Sequence, residues 1–440
     1  MIDSQLKPMR KRFAFVIVIV FAVAIIMITS PFNRFILPST AVGQQQQQQQ
    51  QQQNSNILSS QSSNPSPSPN PLSLRTIFKQ VENSVVQITS KTTGVSNTSN
   101  PQSPNTTTLG SGFVYDKQGH IVTNGHVVGG AKIVDVTFVN GNRYTAKVIA
   151  SDIYSDIAVL QLLSQNASQP QQQRQQQPLS PFKPLVLGNS SNIDVGGAVI
   201  AIGNPFGLSD TMTTGIVSGI GRSLPAAASG GFFIPNTIQT DAPINPGNSG
   251  GPLLDMQAKM VGMNTAILSG TNTFSGIGFA IPSNTITKIV PTLIEKGYYP
   301  HPYLGLRDGT LTSDLAVDAG MPVNLKGAYV DSIMKNGPAD KAGIHGSTRD
   351  QYSKKHLGDV IIAADGHDIT TSDDLVNYIG QHKSAGDNIT LTVYRNGHAL
   401  DLKTTLAARL SLLSFLTTGS AIPLIPHPPM RPPTIPIPHP

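Results

Sequence analysis

The chain has 440 residues, of which 38% are hydrophobic, 12% are charged and none is cysteine. This length and hydrophobic content exclude a wholly disordered protein and leave room for two or three domains with buried cores. Without cysteine, disulfide bridges and thiolate metal sites are excluded. The formal net charge of +6 comes from basic residues that are scattered along the chain beyond residue 12, which argues against a nucleic-acid-binding surface.

The N-terminal segment combines a basic cluster with a long apolar run. Residues 7–12 carry four Lys and Arg side chains, and an unbroken apolar stretch follows from Phe13 to Thr29. Such a run is near the lower limit for crossing a bilayer, and its positive flank favours the cytoplasmic side. We therefore predict a cytoplasmic segment over 1–12 and a single-pass transmembrane signal anchor over 13–30, with the remainder outside the cytoplasm. A cleaved signal peptide, which would leave a secreted protein, is the alternative.

Three segments are too polar or too rich in proline to form a core. Residues 31–73 contain the run Gln44–Gln53 and Asn/Ser/Pro repeats, which predict a disordered linker. The Gln-rich stretch 165–177 predicts a surface-loop insertion, and the Pro-rich residues 411–440 predict a disordered tail.

Between linker and tail, short Val/Ile-rich runs bounded by Gly, Asn and Pro predict a mainly β protein. The runs within 74–298 are typical of a β-barrel or sandwich and not of alternating strand and helix units. An amphipathic helix is predicted over Ser283–Lys296, with Ser283 or Asn284 as its cap. Residues 299–410 form a second predicted domain of strands and one capped helix, Ser372–Ile379.

A serine among glycines is the first chemical signal. Ser249 lies in the segment Asn245-Pro246-Gly247-Asn248-Ser249-Gly250-Gly251-Pro252-Leu253. A nucleophilic hydroxyl needs an exposed position beside backbone N–H groups that bind the oxyanion, and glycines permit that tight turn. We predict the oxyanion hole within Gly247, Asn248 and Ser249, with the N–H groups of Gly247 and Ser249 as its donors.

A general base and an orienting acid are also present. His126 follows a short predicted strand, and Asp156 leads into a buried one, so both lie at strand ends. Alone, each residue is more often structural, but the order His, Asp, Ser at strand ends predicts a catalytic triad. Gly247-x-Ser249-x-Gly251 also fits an α/β-hydrolase nucleophile elbow. That alternative requires a helix after the serine, whereas Leu253–Asp255 and Lys259–Ile267 predict a hairpin.

These residues lie within motifs that together resemble the HtrA/DegP family of serine proteases. The motifs are Gly110-Ser111-Gly112-Phe113, Thr123-Asn124-Gly125-His126-Val127, Asp156-Ile157-Ala158-Val159-Leu160, Gly203-Asn204-Pro205-Phe206-Gly207, Thr240 to Leu253, and Gly278-Phe279-Ala280-Ile281-Pro282. The resemblance covers about residues 74–410. It implies a chymotrypsin-like double β-barrel, a homotrimer, and unfolded or damaged exported proteins as substrates. No cofactor is predicted, and no metal site either, because the chain has no Cys and no His pair at helix ligand spacing.

The second domain resembles a PDZ domain. Tyr303-Leu304-Gly305-Leu306 matches the carboxylate-binding loop, which implies that C-terminal peptides bind there and add as a strand to the sheet edge. An edge strand without a ligand is the alternative interpretation of these four residues. Three functions stay open: a quality-control endopeptidase, a site-specific signalling protease, and a PDZ-dependent chaperone or binding module.

Overall fold

The computed structural model describes residues 73–92, 106–163, 182–204, 211–225, 233–265, 276–352 and 355–409. The predicted anchor 13–30, the Gln-rich stretch 165–177 and the predicted tail 411–440 lie outside these residues, as does the linker up to residue 72. Of the helices among the described residues, none combines the length and apolar character that crossing a bilayer requires.

Six strands close the first barrel in the order β1-β2-β3-β6-β5-β4. They are β1 (Val85–Thr92), β2 (Thr106–Val114), β3 (His120–Asn124), β4 (Ile133–Phe138), β5 (Arg143–Asp152) and β6 (Ile157–Leu162). Helix α1 (Leu74–Val81) and a 3-10 turn (Glu82–Ser84) precede β1, and the one-turn helix α2 (Gly125–Val128) follows β3. Alternating inward side chains such as Val86, Ile88 and Ile121 are fully buried inside the barrel, which is why the period-2 pattern marks these strands.

The second barrel repeats the strand order of the first: β7-β8-β9-β12-β11-β10, with β10 closing onto β7. Its strands are β7 (Ala198–Gly203), β8 (Thr211–Pro225), β9 (Phe233–Thr240), β10 (Pro252–Leu254), β11 (Met260–Thr265) and β12 (Gly278–Pro282). A 3-10 turn (Ser190–Asn192) precedes β7. The hairpin predicted after Ser249 is confirmed, since β10 and β11 pair antiparallel.

Helix α3 (Ser283–Lys296) follows the second barrel and has the bounds predicted for it. Its buried residues Ile286, Ile289 and Leu293 join one hydrophobic cluster with Ile157 of the first barrel and Ile200 of the second. The main core therefore lies between the barrels. The predicted cap was wrong, because Pro282 occupies the N-cap position without a side-chain cap. The Ser283 hydroxyl instead donates to the Gly188 carbonyl at 2.8 Å.

The second domain is built on a mixed set of strands and three helices. The strands are β13 (His301–Tyr303), β14 (Leu306–Thr310), β15 (Ala328–Ile333), β16 (Thr348–Arg349), β17 (Lys355–His356), β18 (Val360–Ala364), β19 (His367–Asp368), β20 (Asn388–Arg395), β21 (His398–Thr405) and β22 (Ala407–Arg409). The helices are α4 (Ser313–Asp318), α5 (Pro338–Lys341) and α6 (Ser372–His382). The main sheet runs β14-β15-β18-β20-β21, so β14 is an edge strand.

Helix α6 is longer than predicted and is capped by the residue before it. Thr371 and Asp374 form a reciprocal capping box, in which the Thr371 hydroxyl accepts from the Asp374 N–H and the Asp374 carboxylate accepts from the Thr371 N–H. The mainly β architecture of two barrels and a second sheet is confirmed, while the exact domain bounds of 74–298 and 299–410 stay predictions.

Candidate active site

Strand pairing brings the predicted base and acid together. The antiparallel strands β3 and β6 align Asn124 with Ile157, so the chain leaves β3 where it enters β6. His126, two residues after Asn124, and Asp156, one residue before Ile157, therefore meet at the same end of the strand pair. The His126 Nδ1 atom lies 2.8 Å from Asp156 Oδ2.

Asp156 is fixed by several donors beyond the ring. Its Oδ1 accepts from the His126 N–H at 2.9 Å, and its Oδ2 also accepts from the Thr265 hydroxyl at 3.1 Å. Its main-chain carbonyl accepts from the Gly125 N–H at 3.0 Å and from the Asn124 side-chain amide at 3.1 Å. A carboxylate that accepts this many bonds can orient an imidazole and stabilise its charged form.

The pKa of His126 is raised above its ordinary value of 6.5. Burial alone would lower this pKa, but the hydrogen bond and the negative charge of Asp156 together outweigh it. The ring is 31% exposed, so one side of the imidazole stays open to a reaction partner. These are properties expected of a general base held in one tautomer by a carboxylate.

Ser249 lies on the tight turn between β9 and β10 and is 4% exposed, so it is buried and not in the exposed position expected from the sequence. The turn requires glycine at the next position, because Gly250 has φ +84° and an added Cβ would lie 2.2 Å from the Ser111 carbonyl oxygen and 2.3 Å from Thr123 Oγ1. Thr123 lies in β3, three residues before His126. The serine turn therefore packs against the segment that carries the histidine.

The backbone of the turn leaves two donors available. Among the described residues, neither the Gly247 N–H nor the Ser249 N–H has a hydrogen-bond acceptor. The Asn248 N–H, which lies between them in the chain, donates to the Asn245 carbonyl at 3.0 Å. Of the three residues predicted for an oxyanion hole, Gly247 and Ser249 thus have N–H groups without an acceptor in the described part of the chain, and Asn248 does not.

The structure brings the serine turn, histidine and aspartate into one region without linking all three by hydrogen bonds. Within the described contacts, no hydrogen bond joins the Ser249 hydroxyl to the His126 ring. Across the described residues, no group of three or more His, Asp and Glu side chains is arranged to bind a metal ion. Thr265, a further partner of Asp156, was missed from the sequence because no motif marks it.

The predicted carboxylate-binding loop lies between β13 and β14. Gly305 adopts φ +77°, and the carbonyls of Leu304 and Gly305 accept from the Ala339 and Met334 N–H groups at 2.9 and 2.8 Å. Among the described residues, the N–H groups of Leu304 and Gly305 have no acceptor. Two free donors beside the edge strand β14 are what an extended peptide with a terminal carboxylate would require.

Comparison with known proteins agrees with this geometry. The profile of the family described as "Trypsin-like peptidase domain" matches residues 110–263, and that described as "PDZ domain" matches residues 302–406. The solved structure described as "HtrA-type protease AlgW with tripeptide" is 30% identical, with a TM-score of 0.58, and is matched over 97% of its length and 76% of this chain. The chain belongs to the HtrA family. The resemblance drawn from the sequence motifs is thereby confirmed.

Curated relatives of this HtrA protein are proteases from plants and bacteria. "Protease Do-like 1, chloroplastic" of Arabidopsis thaliana is 41% identical over 68% of this chain and 63% of its own length. "Serine protease Do-like HtrA" of Bacillus subtilis is 36% identical over 67% of this chain and 62% of its own length. "Probable periplasmic serine endoprotease DegP-like" of Brucella suis is 38% identical over 68% of this chain and 52% of its own length. The HtrA chain therefore spans about half to under two thirds of these relatives.

Proposed function

We propose that this chain is a serine endopeptidase that cleaves unfolded or damaged proteins outside the cytoplasm, with His126, Asp156 and Ser249 as its catalytic triad. The observation that carries the proposal is the His126–Asp156 hydrogen bond beside the Ser249 turn. In that turn the Gly247 and Ser249 N–H groups have no acceptor within the ranges that the structure describes. The names of the curated relatives, which include a periplasmic and a chloroplastic protease, support both the activity and the location.

The proposed reaction forms an acyl-enzyme. His126 Nε2 takes the Ser249 proton while Oγ forms a bond to the substrate carbonyl carbon, whose π electrons move onto oxygen. The Gly247 and Ser249 N–H groups stabilise that oxyanion. The C–N bond then breaks, the leaving amine takes the proton from His126, and a water molecule hydrolyses the ester by the same route. Asp156 keeps its charge throughout and stabilises the imidazolium.

Substrate preference follows from the residues before the serine. No acidic side chain lies between Ala242 and Asn248, so the proposed specificity pocket offers no partner for Lys or Arg from this segment. We propose a small aliphatic residue such as Val or Ala before the cleaved bond. Pro243, which stands where the resemblance implies Ala more often, places its carbonyl within 2.9 Å of the Thr213 hydroxyl.

The second domain is proposed to bind C-terminal peptides through Tyr303, Leu304, Gly305 and Leu306. The free N–H groups of Leu304 and Gly305 would bind the carboxylate, and the peptide would add to the edge of β14. Peptide binding is proposed to favour the active arrangement of the serine turn. This proposal fails if a hydrophobic C-terminal peptide leaves the cleavage rate of a small substrate unchanged.

Location and assembly are further parts of the proposal. The apolar run Phe13–Thr29 behind a basic cluster supports a membrane anchor, with the protease outside the cytoplasm. The resemblance supports a homotrimer. Extraction of the full chain from membranes with detergent but not with alkaline carbonate, and a particle mass of three chains in detergent, are the expected results.

The activity is tested by comparing the full chain with its Ser249→Ala variant. We expect the parent alone to degrade a permanently unfolded protein and to accept a fluorophosphonate on Ser249, located by mass spectrometry. Many cleaved proteins in a proteome digest would support the quality-control function, and a single cleaved protein the signalling alternative. If neither form cleaves and both suppress aggregation, the chaperone or binding alternative replaces the protease.

A further inference from the structure

Ser111 connects the two barrels beneath the serine turn. It belongs to β2 of the first barrel, is fully buried, and uses its hydroxyl and both main-chain groups in hydrogen bonds. Its carbonyl accepts from the Thr123 hydroxyl at 2.6 Å, and its hydroxyl oxygen accepts from the Asn204 N–H at 2.8 Å. Both donors are buried, so the position of Ser111 is fixed from both barrels.

The remaining two bonds of Ser111 reach the serine turn. Its hydroxyl donates to the Gly247 carbonyl at 2.5 Å, and its N–H donates to the Ser249 carbonyl at 2.8 Å. These carbonyls belong to the peptide groups on either side of the Asn248–Ser249 peptide, which carries one of the free donors. One residue therefore fixes two peptide planes that flank a proposed oxyanion donor.

The bond to the Gly247 carbonyl determines which way that peptide faces. The Asn248 N–H at the other end of the same peptide donates to the Asn245 carbonyl, so both of its polar groups are satisfied only in this orientation. Gly247 is buried, and its φ of +101° is accessible to glycine without strain, so the turn has other conformations available. Without the Ser111 hydroxyl, the buried Gly247 carbonyl would lose its donor, and the peptide would be free to turn to another orientation.

We propose that Ser111 is a positioning residue that keeps the Gly247 and Ser249 N–H groups directed at the substrate oxyanion. The proposal rests on the function proposed above, since it assigns Ser111 a role in the same reaction. Ser111 does not contact the reacting atoms. It acts through the two carbonyls that it binds, and its contribution is made in the transition state, where negative charge develops on the substrate oxygen.

The test compares Ser111→Ala and Ser111→Cys with the parent in the full chain. Alanine removes the hydroxyl, whereas cysteine replaces it with a slightly larger thiol that is only a weak donor. Removal of an oxyanion donor lowers kcat by about 100- to 1000-fold in other serine proteases, so loss of a residue that positions one is expected to lower kcat by about 10- to 100-fold. KM should stay within about threefold, because substrate binding in the ground state does not depend on the oxyanion donors.

Ser283→Ala is the matched control. Ser283 is also fully buried and also donates to a main-chain carbonyl at 2.8 Å, but its partner Gly188 is outside the serine turn. This variant should lose thermal stability to a similar extent and keep the parental kcat. A peptide aldehyde, whose adduct with Ser249 places an oxyanion in the hole, should bind each Ser111 variant more weakly by the factor lost in kcat/KM.

The two proposals fail in distinguishable ways. If the parent is labelled on Ser249 and cleaves, but a folded Ser111 variant keeps kcat and aldehyde affinity within about twofold of Ser283→Ala, the role of Ser111 is overturned and the protease stands. If the parent is neither labelled nor active, the proposed function is overturned and Ser111 has no oxyanion to serve. Should Ser111→Ala fail to fold, Ser111→Cys alone decides the outcome by the same comparison.

Discussion

At the scale of single residues, Asp156 shows how a backbone conformation can serve a site. Its φ of +53° lies in the left-handed region, which costs a non-glycine residue about 1–2 kcal/mol. In this conformation the Asp156 carboxylate forms hydrogen bonds with the ring and the main-chain N–H of His126. Its main-chain carbonyl accepts a hydrogen bond from the Gly125 N–H. The bonds to the histidine segment compensate for the strain and explain why an acid occupies the last position before β6.

The raised pKa of His126 sets the direction of the pH dependence. A general base must be neutral, so kcat/KM for an uncharged peptide substrate should rise with pH and reach half its maximum above pH 6.5. Folding favours the protonated His126 ring. The stability that this ring contributes is therefore complete below pH 6.5 and is lost as the pH rises through the pKa of His126 in the folded protein. Two substrates without ionisable groups should give the same midpoint. A midpoint at or below 6.5 would contradict the assignment of Asp156 as its partner.

Gly250 is expected to tolerate no side chain. Gly250→Ala would place a Cβ 2.2 Å from the Ser111 carbonyl oxygen, so the serine turn must move, and kcat/KM should fall by at least about 100-fold. Gly141→Ala is the control: its φ is also +84°, but no heavy atom lies within 4 Å of the added Cβ. It should lose about 1 kcal/mol of stability and no activity. If Gly250→Ala were as active as Gly141→Ala, the expected contact of the added Cβ with Ser111 and Thr123 would not disturb the serine turn.

At the scale of elements, the sequence predicted most of the secondary structure and much of the candidate site. The bounds of α3 and the hairpin after Ser249 followed from apolar spacing and turn residues, which are local signals. The role proposed for Ser111 could not follow from such signals. Its motif is local, but its partners Asn204 and Gly247 are distant in sequence and belong to the other barrel. Hydrogen bonds between the two barrels depend on how the barrels pack in three dimensions, and a short stretch of sequence does not show that packing.

Lys288 illustrates a contact between elements that also depends on packing. Its ammonium group, on α3, donates to the carbonyls of Gly380 at 2.8 Å and Lys383 at 3.0 Å, at the C-terminal end of α6. Those carbonyls have no partner within the helix, and the helix dipole places partial negative charge there. Burial lowers the pKa of Lys288, partly opposed by the charge of Asp387. The lysine therefore fixes the end of α6 to the helix that follows the second barrel.

Removing that ammonium group should loosen the end of α6. Lys288→Met keeps most of the aliphatic stem and should weaken local stability by about 1–2 kcal/mol, because charge-assisted hydrogen bonds are lost. The measurement is amide hydrogen exchange of Lys383, whose N–H donates to the Ile379 carbonyl, and about tenfold faster exchange is expected. Lys296→Met, on an exposed position of the same helix, is the control and should leave that exchange unchanged. Equal rates in the two variants would contradict the capping role.

At the scale of the whole molecule, one partly buried pair of side chains links the protease region to the PDZ region, close in sequence to both candidate sites. His301 Nε2 of β13 lies 2.7 Å from Asp152 Oδ2 at the end of β5. Asp152 also accepts from the Ser155 hydroxyl, immediately before Asp156, while His301 is two residues from Tyr303. The Arg409 guanidinium lies 5.0 Å from the ring centroids of both Tyr154 and Tyr303 and adds a second link.

The ionisation of Asp152 determines when this link stabilises the fold. Burial alone would raise the pKa of Asp152, but the charge and hydrogen bond of His301, with the Ser155 and Tyr154 bonds, outweigh it and hold the pKa below 3.8. A lowered folded pKa contributes stability that is present above the unfolded pKa and is lost as pH falls through the folded one. The pair should therefore stabilise the protein at neutral and mildly acidic pH and cease to do so in strong acid.

His301→Ala should expose that dependence. The variant leaves a buried carboxylate without its ionic partner, so its free energy of unfolding at pH 6 should be about 1–3 kcal/mol below that of the parent. The difference should shrink as the pH falls through the folded pKa of Asp152, below 3.8, because a protonated carboxyl needs no cation. His398→Ala, at an exposed position on β21, is the control and should match the parent at every pH. A difference that stays constant down to pH 2 would place the stabilisation in packing of the ring against Tyr154 and Tyr299, whose centroids lie 5.4 and 4.8 Å away, and not in the ion pair.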